Sequence, residues 1–480
     1  MVEAKQIARW EKGIYIIVLS CIALVGFITT IHSLSDPDAY WHIATGRYIV
    51  TNHSIPKTDI FSWYGIKNHL KWVNHEWLYD VIIYSVFSFF GLKGTIVFTG
   101  ITFSFLISLI YIYTKVRTNN NIISLVAAII AVIGLNSFMV PRPQTLSYNL
   151  FVLTLILLEK EKWWYTIPIV VLGVNLHGGF SPMYIIIIAM LAWRKKTLLI
   201  PTAIASMIIN PYGITMLTYP IQMEKCTQFY KYITEWIKTP LIEYKFALAL
   251  YIIIIISIIN NTKKWKIEDS ILALLISVLT LTAVRQLVFL YIFIFPLLSP
   301  YILDGSTNIY NGIKKKVHIK FDILNKFNLK RFNLIIILMP ILIISFVALI
   351  IFDIYRVKNL HQIIPPDIYP TKAVNFMRQN NIKNYFNEYN IGGYLIFENL
   401  HPLVDGRTDI FVPMYNKTDI FEELVKVERR ESNYKAFLDK YNVKYIIIDK
   451  DFYLNTFLLA DPKFKIIYDD ENFFIYQYLK

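Results

Sequence analysis

The chain has 480 residues, 55% of them hydrophobic and only 17% charged, with a net charge of +14 and a mean hydropathy of +0.46. Soluble proteins carry roughly a quarter of their residues as charges, so a cytosolic globule, a disordered chain and a secreted disulfide scaffold are excluded. Two cysteines, Cys21 and Cys226, make neither a disulfide framework nor a zinc cluster. In so apolar a chain the basic surplus reads as loops facing anionic lipid, and not as a nucleic-acid partner.

Apolar runs of membrane-crossing length set the organisation. Ile14–Ile31 comes first; it follows Lys5, Arg9 and Lys12 without a small-x-small cleavage site, and so reads as a retained span. Further runs lie at Thr95–Tyr113, Ile122–Met139, Thr145–Leu158, Trp164–Leu176 and Phe180–Trp193. Leu198–Ile209, Phe246–Ile259, Ser270–Val284, Leu287–Ile302 and Leu334–Phe352 follow, which makes about eleven transmembrane helices. Trp77–Gly91 is also apolar, but charge placement argues that it lies along the membrane surface. With that choice Lys115/Arg117, Lys160/Lys162, Arg194–Lys196, Lys263/Lys264/Lys266 and the run from Lys314 to Arg331 share one side with the N-terminal lysines. The positive-inside rule makes that side cytoplasmic. The expectation is an all-α polytopic protein of the cytoplasmic membrane: residues 1–352 form the transmembrane domain, with a long first outer loop (32–94). Residues 353–480 then form an extracytoplasmic α/β domain. In that tail Tyr394–Phe397, Lys444–Ile448, Phe464–Tyr468 and Phe473–Tyr478 read as strands, and Thr371–Asn380 and Thr418–Tyr441 as helices.

Unusual polar residues gather at the outer ends of these spans, where ionisable groups are costly and mark function. Asp36-Pro37-Asp38 places two carboxylates at i, i+2, suited to a shared divalent ion or to a general base beside a helper. An N-cap for the helix that follows is the competing reading for the pair. His42 stands one helical turn beyond Asp38. His75-Glu76 is not a zincin motif, because position 79 is Tyr. Arg142 and Arg285 suit bidentate contact with phosphate, against snorkelling to headgroups. His177 precedes Gly178-Gly179 at a turn, where a backbone-bonded structural histidine is the alternative, and Glu235 stands in an outer loop beside Trp236.

The ordered set of motifs resembles the type C glycosyltransferases, polytopic enzymes that use lipid-phosphate sugars, and within them a bacterial branch related to the mannosyl- and aminoarabinosyl-transferase groups. It runs from Asp36-Pro37-Asp38-Ala39-Tyr40-Trp41-His42 with Gly46-Arg47 through Ile55–Ser62 and His75-Glu76-Trp77-Leu78. Arg142-Pro143-Gln144, Asn175–Gly179, Asn210-Pro211-Tyr212-Gly213 and Glu235-Trp236 continue it. Gly392-Gly393-Tyr394-Leu395-Ile396 and Asp405-Gly406-Arg407-Thr408-Asp409 complete it in the tail. The resemblance implies a catalytic acid in the first outer loop, surface helices within that loop, and a polyprenyl-phosphate or pyrophosphate donor entering from the outer leaflet. The D-P-D spacing departs from the adjacent acids common in better-known groups, which leaves open which aspartate is the base.

On this reading the protein is a hexosyltransferase-like enzyme, probing three expectations about its site. Asp38 takes the acceptor proton, with Asp36, His42 or a divalent cation (Mg2+ or Mn2+ on Asp36 and Asp38, if transfer is metal-dependent) as orienting group. Arg142 and Arg285 meet the leaving phosphate, with His75, Glu76, His177 and Glu235 lining the substrate site. Asp405, Arg407 and Asp409 of the tail help bind the acceptor, or else form a strand-turn salt bridge. The partners expected are a lipid-linked sugar donor, membrane lipid and a glycan, lipid or protein acceptor. A transporter or flippase of lipid-linked saccharide predicts ionisable groups at mid-span, which these runs lack. A non-catalytic scaffold with a partner-binding tail leaves the outer-face clustering unexplained.

Overall fold

The computed structural model describes residues 19–178, 181–317 and 362–479, with the single positions 347 and 351. The expected final span, most of the basic loop after Asn308 and the start of the first span lie outside the described residues. Among the described residues, three helices are long and apolar enough to cross a membrane: Trp77–Thr118, Asn121–Phe138 and Val284–Gly312. Shorter apolar helices at Leu19–Thr29, Gln144–Glu159, Trp163–Leu176, Met183–Trp193 and Lys245–Ile259 coincide with expected spans.

In the first loop, helix α1 (Pro37–Asn52) begins where Pro37 fixes the backbone at the first helical turn and Asp36 caps it, its carboxylate accepting from the Asp38 N–H at 2.9 Å. Helix α2 (Trp77–Thr118) is broken at Gly91, whose φ of 64° and ψ of −166° are open to glycine and not to a side-chain-bearing residue. The break falls where the sequence separates Trp77–Gly91 from the span beginning at Thr95. Both α1 and helix α3 (Gln144–Glu159) pack along α2.

Helix α3 joins two polar clusters at opposite ends of the bundle, about 24 Å apart at 1.5 Å per residue. Just before its N-terminus stands Arg142, among the acids of the first loop. At its C-terminus Glu159 accepts from Arg117 at 2.5 Å and from Arg194 at 3.2 Å, and Arg117 also reaches Asp269 at 2.6 Å. Arg117 and Arg194, assigned to one side by charge counting, do come together.

The tail carries a four-stranded sheet of β1 (Tyr385–Asn387), β2 (Tyr445–Asp449), β3 (Phe464–Asp469) and β4 (Phe473–Tyr478), in the order β1-β2-β4-β3. The β1–β2 pair is parallel and the other two pairs are antiparallel. Two tail expectations are corrected. Tyr394–Phe397 is not a strand: Gly392–Phe397 is a short helix whose Gly393 and Tyr394 pack into the first loop, since consecutive apolar residues fit a buried helix as well as a strand. The expected helix over Thr418–Tyr441 is two, Ile420–Glu428 and Tyr434–Lys440, the second started by the Asn433 side chain accepting from two backbone N–H groups. The tail does not bury its apolar residues alone. Phe386, Phe411, Phe421 and Tyr476 share one core with Trp41, Leu70 and Trp72 of the first loop and with Phe229 and Tyr232.

Candidate active site

The first loop, the helix ends beside it and the tail surround a cavity of about 750 Å³. Its walls include Asp38, His42, His75, Glu76, Arg142, His177, Glu235, Arg285, Arg407 and Asp409. The structure thus brings together nearly all the residues singled out in the sequence.

Arg142 is the hub of the acidic part. Its Nε donates to Asp36 Oδ2 at 2.7 Å, its Nη2 lies 3.2 Å from Asp38 Oδ2, and its Nη1 donates to both Glu235 oxygens at 3.0 and 3.1 Å. Three carboxylates, two at the start of α1 and one from the turn Thr234–Trp236, share one guanidinium, whose planar fork allows such contact. Asp36 is therefore both helix cap and ion-pair partner. A cation already spans the Asp36/Asp38 pair expected to hold a divalent ion, namely Arg142 itself. Glu235 is no free solvated charge.

Asp38 is turned to the cavity. Trp41 Nε1 donates to its Oδ1 at 3.0 Å, and burial pushes its carboxyl above the usual carboxylate range against the opposing pull of Arg142. The tail closes directly over it: a Cβ on Gly406 would stand 2.2 Å from Asp38 Oδ1, so only glycine permits this approach. Arg407, next in the chain, is buried. Its Nε and Nη2 grip Asp405 at 2.7 Å each, its Nη1 reaches Asp59 of the first loop at 2.9 Å, and its guanidinium sits 4.6 Å from the Trp72 ring and 5.0 Å from that of Phe61. Asp405 and Arg407 form the salt bridge that was their alternative reading, and it ties the tail to the first loop.

Arg285 is placed differently. It faces the cavity stacked 4.4 Å from the Trp236 ring, with no carboxylate within ion-pair distance among the described residues. Beyond it lies a histidine group. His42 leans on Trp41 at 3.7 Å and shares a proton not with Asp38 but with buried Asp80, at 2.6 Å; burial holds its imidazole down to about 3. Its Nε2 is 3.8 Å from Glu76. His75 and His177 approach the same carboxylate at 3.6 and 3.4 Å. Burial lowers His75 to about 4 and pushes Glu76 well up. One donor atom from each of His75, Glu76 and His177 lies within 4.8 Å of the other two.

Two contributors, Asp80 and Asp59, were missed from sequence. Asp80 lies inside an apolar run, where a lone acid one turn after Glu76 was the available signal; Asn74 donates to it at 2.8 Å. Asp59 sat in a quoted motif without a role. Asp409, expected from the tail motif to line the site, does border the cavity; Tyr219 donates to it at 3.4 Å, and burial pushes its carboxyl up to about 7.

Helices long and apolar enough for a membrane, a polar cavity at one end of the bundle and a small α/β tail closing over it make up a fold found in other solved structures. The solved structures that share it include ArnT from Cupriavidus metallidurans, bound to undecaprenyl phosphate (TM-score 0.50, 11% identity, covering 96% of this chain and 97% of that one). The apo state of ArnT from the same organism also matches (TM-score 0.50, 11% identity, 97% and 98% covered). No protein-family profile matches the chain, and no curated protein matches it in sequence.

Proposed function

We propose that the protein is an inverting glycosyltransferase that moves a sugar from a polyprenyl-phosphate or pyrophosphate donor to an acceptor at the outer face of the cytoplasmic membrane. The observation that carries this reading is Asp38: a carboxylate of raised basicity at the wall of a large cavity, oriented by Trp41 and Arg142 and covered by the tail. The ArnT fold and that protein's binding of undecaprenyl phosphate support the donor class.

In this reading the acceptor hydroxyl lies against Asp38. Its oxygen attacks the anomeric carbon as its proton passes to the Asp38 carboxylate, and the bond from that carbon to the phosphate oxygen breaks. The lipid phosphate leaves with the bonding electrons. Arg285, a cation without a carboxylate partner among the described residues, receives the negative charge that develops there. Arg142 serves differently: committed to Asp36, Asp38 and Glu235, it holds the acids in place and keeps Asp38 ionised. The tail's part is to seal the site, Gly406 above Asp38 and Asp409 across the cavity. Residues 1–352 act as the membrane domain and 353–480 as its outer cover.

The test is transfer of label from a polyprenyl-phosphate sugar into membrane acceptors by the purified protein. Activity in the wild type and its loss in Asp38→Asn support the assignment; equal transfer by both refutes it.

A further inference from the structure

We infer that His75, Glu76 and His177 form a binding site for a zinc-like divalent ion, with one coordination position turned to the cavity. The two imidazoles and the carboxylate come from separate elements, the start of α2 and the turn after helix Thr166–Leu176, and they converge on one point. Glu76 Oε1 lies 3.4 Å from His177 Nε2 and 3.6 Å from His75 Nε2. Those spacings suit ligands that share an ion: with zinc bonds of about 2.0–2.1 Å, the edge of a tetrahedron is about 3.4 Å. A two-histidine, one-carboxylate donor set is one that zinc takes in open sites.

The surroundings are built for it. The other ring nitrogen of His75 is directed to the Val73 carbonyl at 3.3 Å, the outer contact that orients a ligating imidazole and leaves Nε2 for a metal. The His75 ring is stacked on Tyr219 at 4.3 Å. The Gly178 N–H donates to the His75 carbonyl at 2.9 Å, which fixes the two histidine-bearing segments against each other. All three ligands border the cavity, as does Arg285. An oxygen of the donor's phosphate would fill the fourth position. That role rests on the glycosyl-transfer reading, whereas the metal site does not.

The measurement is metal content of the full-length, tag-free protein in detergent, after equilibration with zinc and gel filtration, together with the visible spectrum of its cobalt-loaded form. The site predicts about one zinc per chain and cobalt absorption of the strength of a four-coordinate site. His177→Gln and Glu76→Gln each lower zinc affinity at least about tenfold while the unfolding temperature without metal stays near that of wild type. Asp36→Asn keeps the metal. A wild type that binds no zinc, or zinc retained by both ligand variants, or zinc lost only in Asp36→Asn, overturns the assignment. Because metal content is read without donor or acceptor, a zinc-binding protein that transfers no sugar counts against the glycosyltransferase reading and not against the site.

Discussion

Asp38 and Asp36 differ by two positions, yet their surroundings divide their work. Asp36 has one oxygen on a backbone N–H and the other on Arg142, so it is a structural acid. Asp38 faces the cavity, and in the proposed mechanism it is the group that accepts the proton. Spacing alone left this open, because the difference comes from Arg142, more than a hundred residues away. For Arg285, a cation stacked on Trp236 and lacking a carboxylate partner among the described residues, Arg285→Ala should raise the KM for lipid-phosphate donor about tenfold or more, with Arg285→Lys in between. Asp409 supplies a pH test. Its folded-state carboxyl, pushed to about 7 from 3.8, favours the protonated form, so its contribution to stability is full below the unfolded value and is lost as pH rises toward 7. Asp409→Asn should therefore flatten the decline in stability between about pH 4 and 7, as followed by thermal unfolding. An unchanged decline would contradict the burial argument.

Single elements are held together by contacts that sequence patterns only partly foretell. Among the described residues most of the apolar runs coincide with helices, since periodicity and caps are local, although the helix containing the end of the Leu287–Ile302 run continues to Val317. Gly392–Phe397 became a helix and not a strand because its environment, the underside of α1, decides between two structures equally compatible with a short apolar run. The latch between tail and first loop, Asp59–Arg407–Asp405 enclosed by Trp72 and Phe61, is likewise a long-range arrangement. Removing one member of a buried ion network leaves the rest uncompensated, at a cost of about 3–5 kcal/mol. Arg407→Ala should lower stability by that amount, measured by denaturant unfolding in detergent, and a change below about 1 kcal/mol, as for a surface pair, would contradict the latch. Gly406→Ala, by contrast, should keep the tail folded while displacing it from Asp38, so transfer falls more than stability does.

For the molecule as a whole, composition was the most readable feature. An apolar chain with its basic residues in alternate loops predicts a polytopic topology, and α3 now joins a cluster containing Arg117 and Arg194 to one containing Arg142. Sidedness has its own check. With Cys21 and Cys226 replaced by Ser, a cysteine at Lys417 in the tail should react with an impermeant maleimide in sealed cells, and one at Lys160 only after lysis; the reverse would invert the topology. The cavity could not be read from sequence, because its walls are drawn from the first loop, several helices far apart in the chain and the tail. The central claim is that Asp38 is the base of a glycosyl transfer. It is tested most directly by supplying labelled polyprenyl-phosphate sugar to wild-type and Asp38→Asn protein and following lipid-phosphate release with transfer of the label. The wild type should release and transfer, and Asp38→Asn, still folded, should do so about 10²–10⁴ times more slowly; equal rates in the two proteins would contradict it.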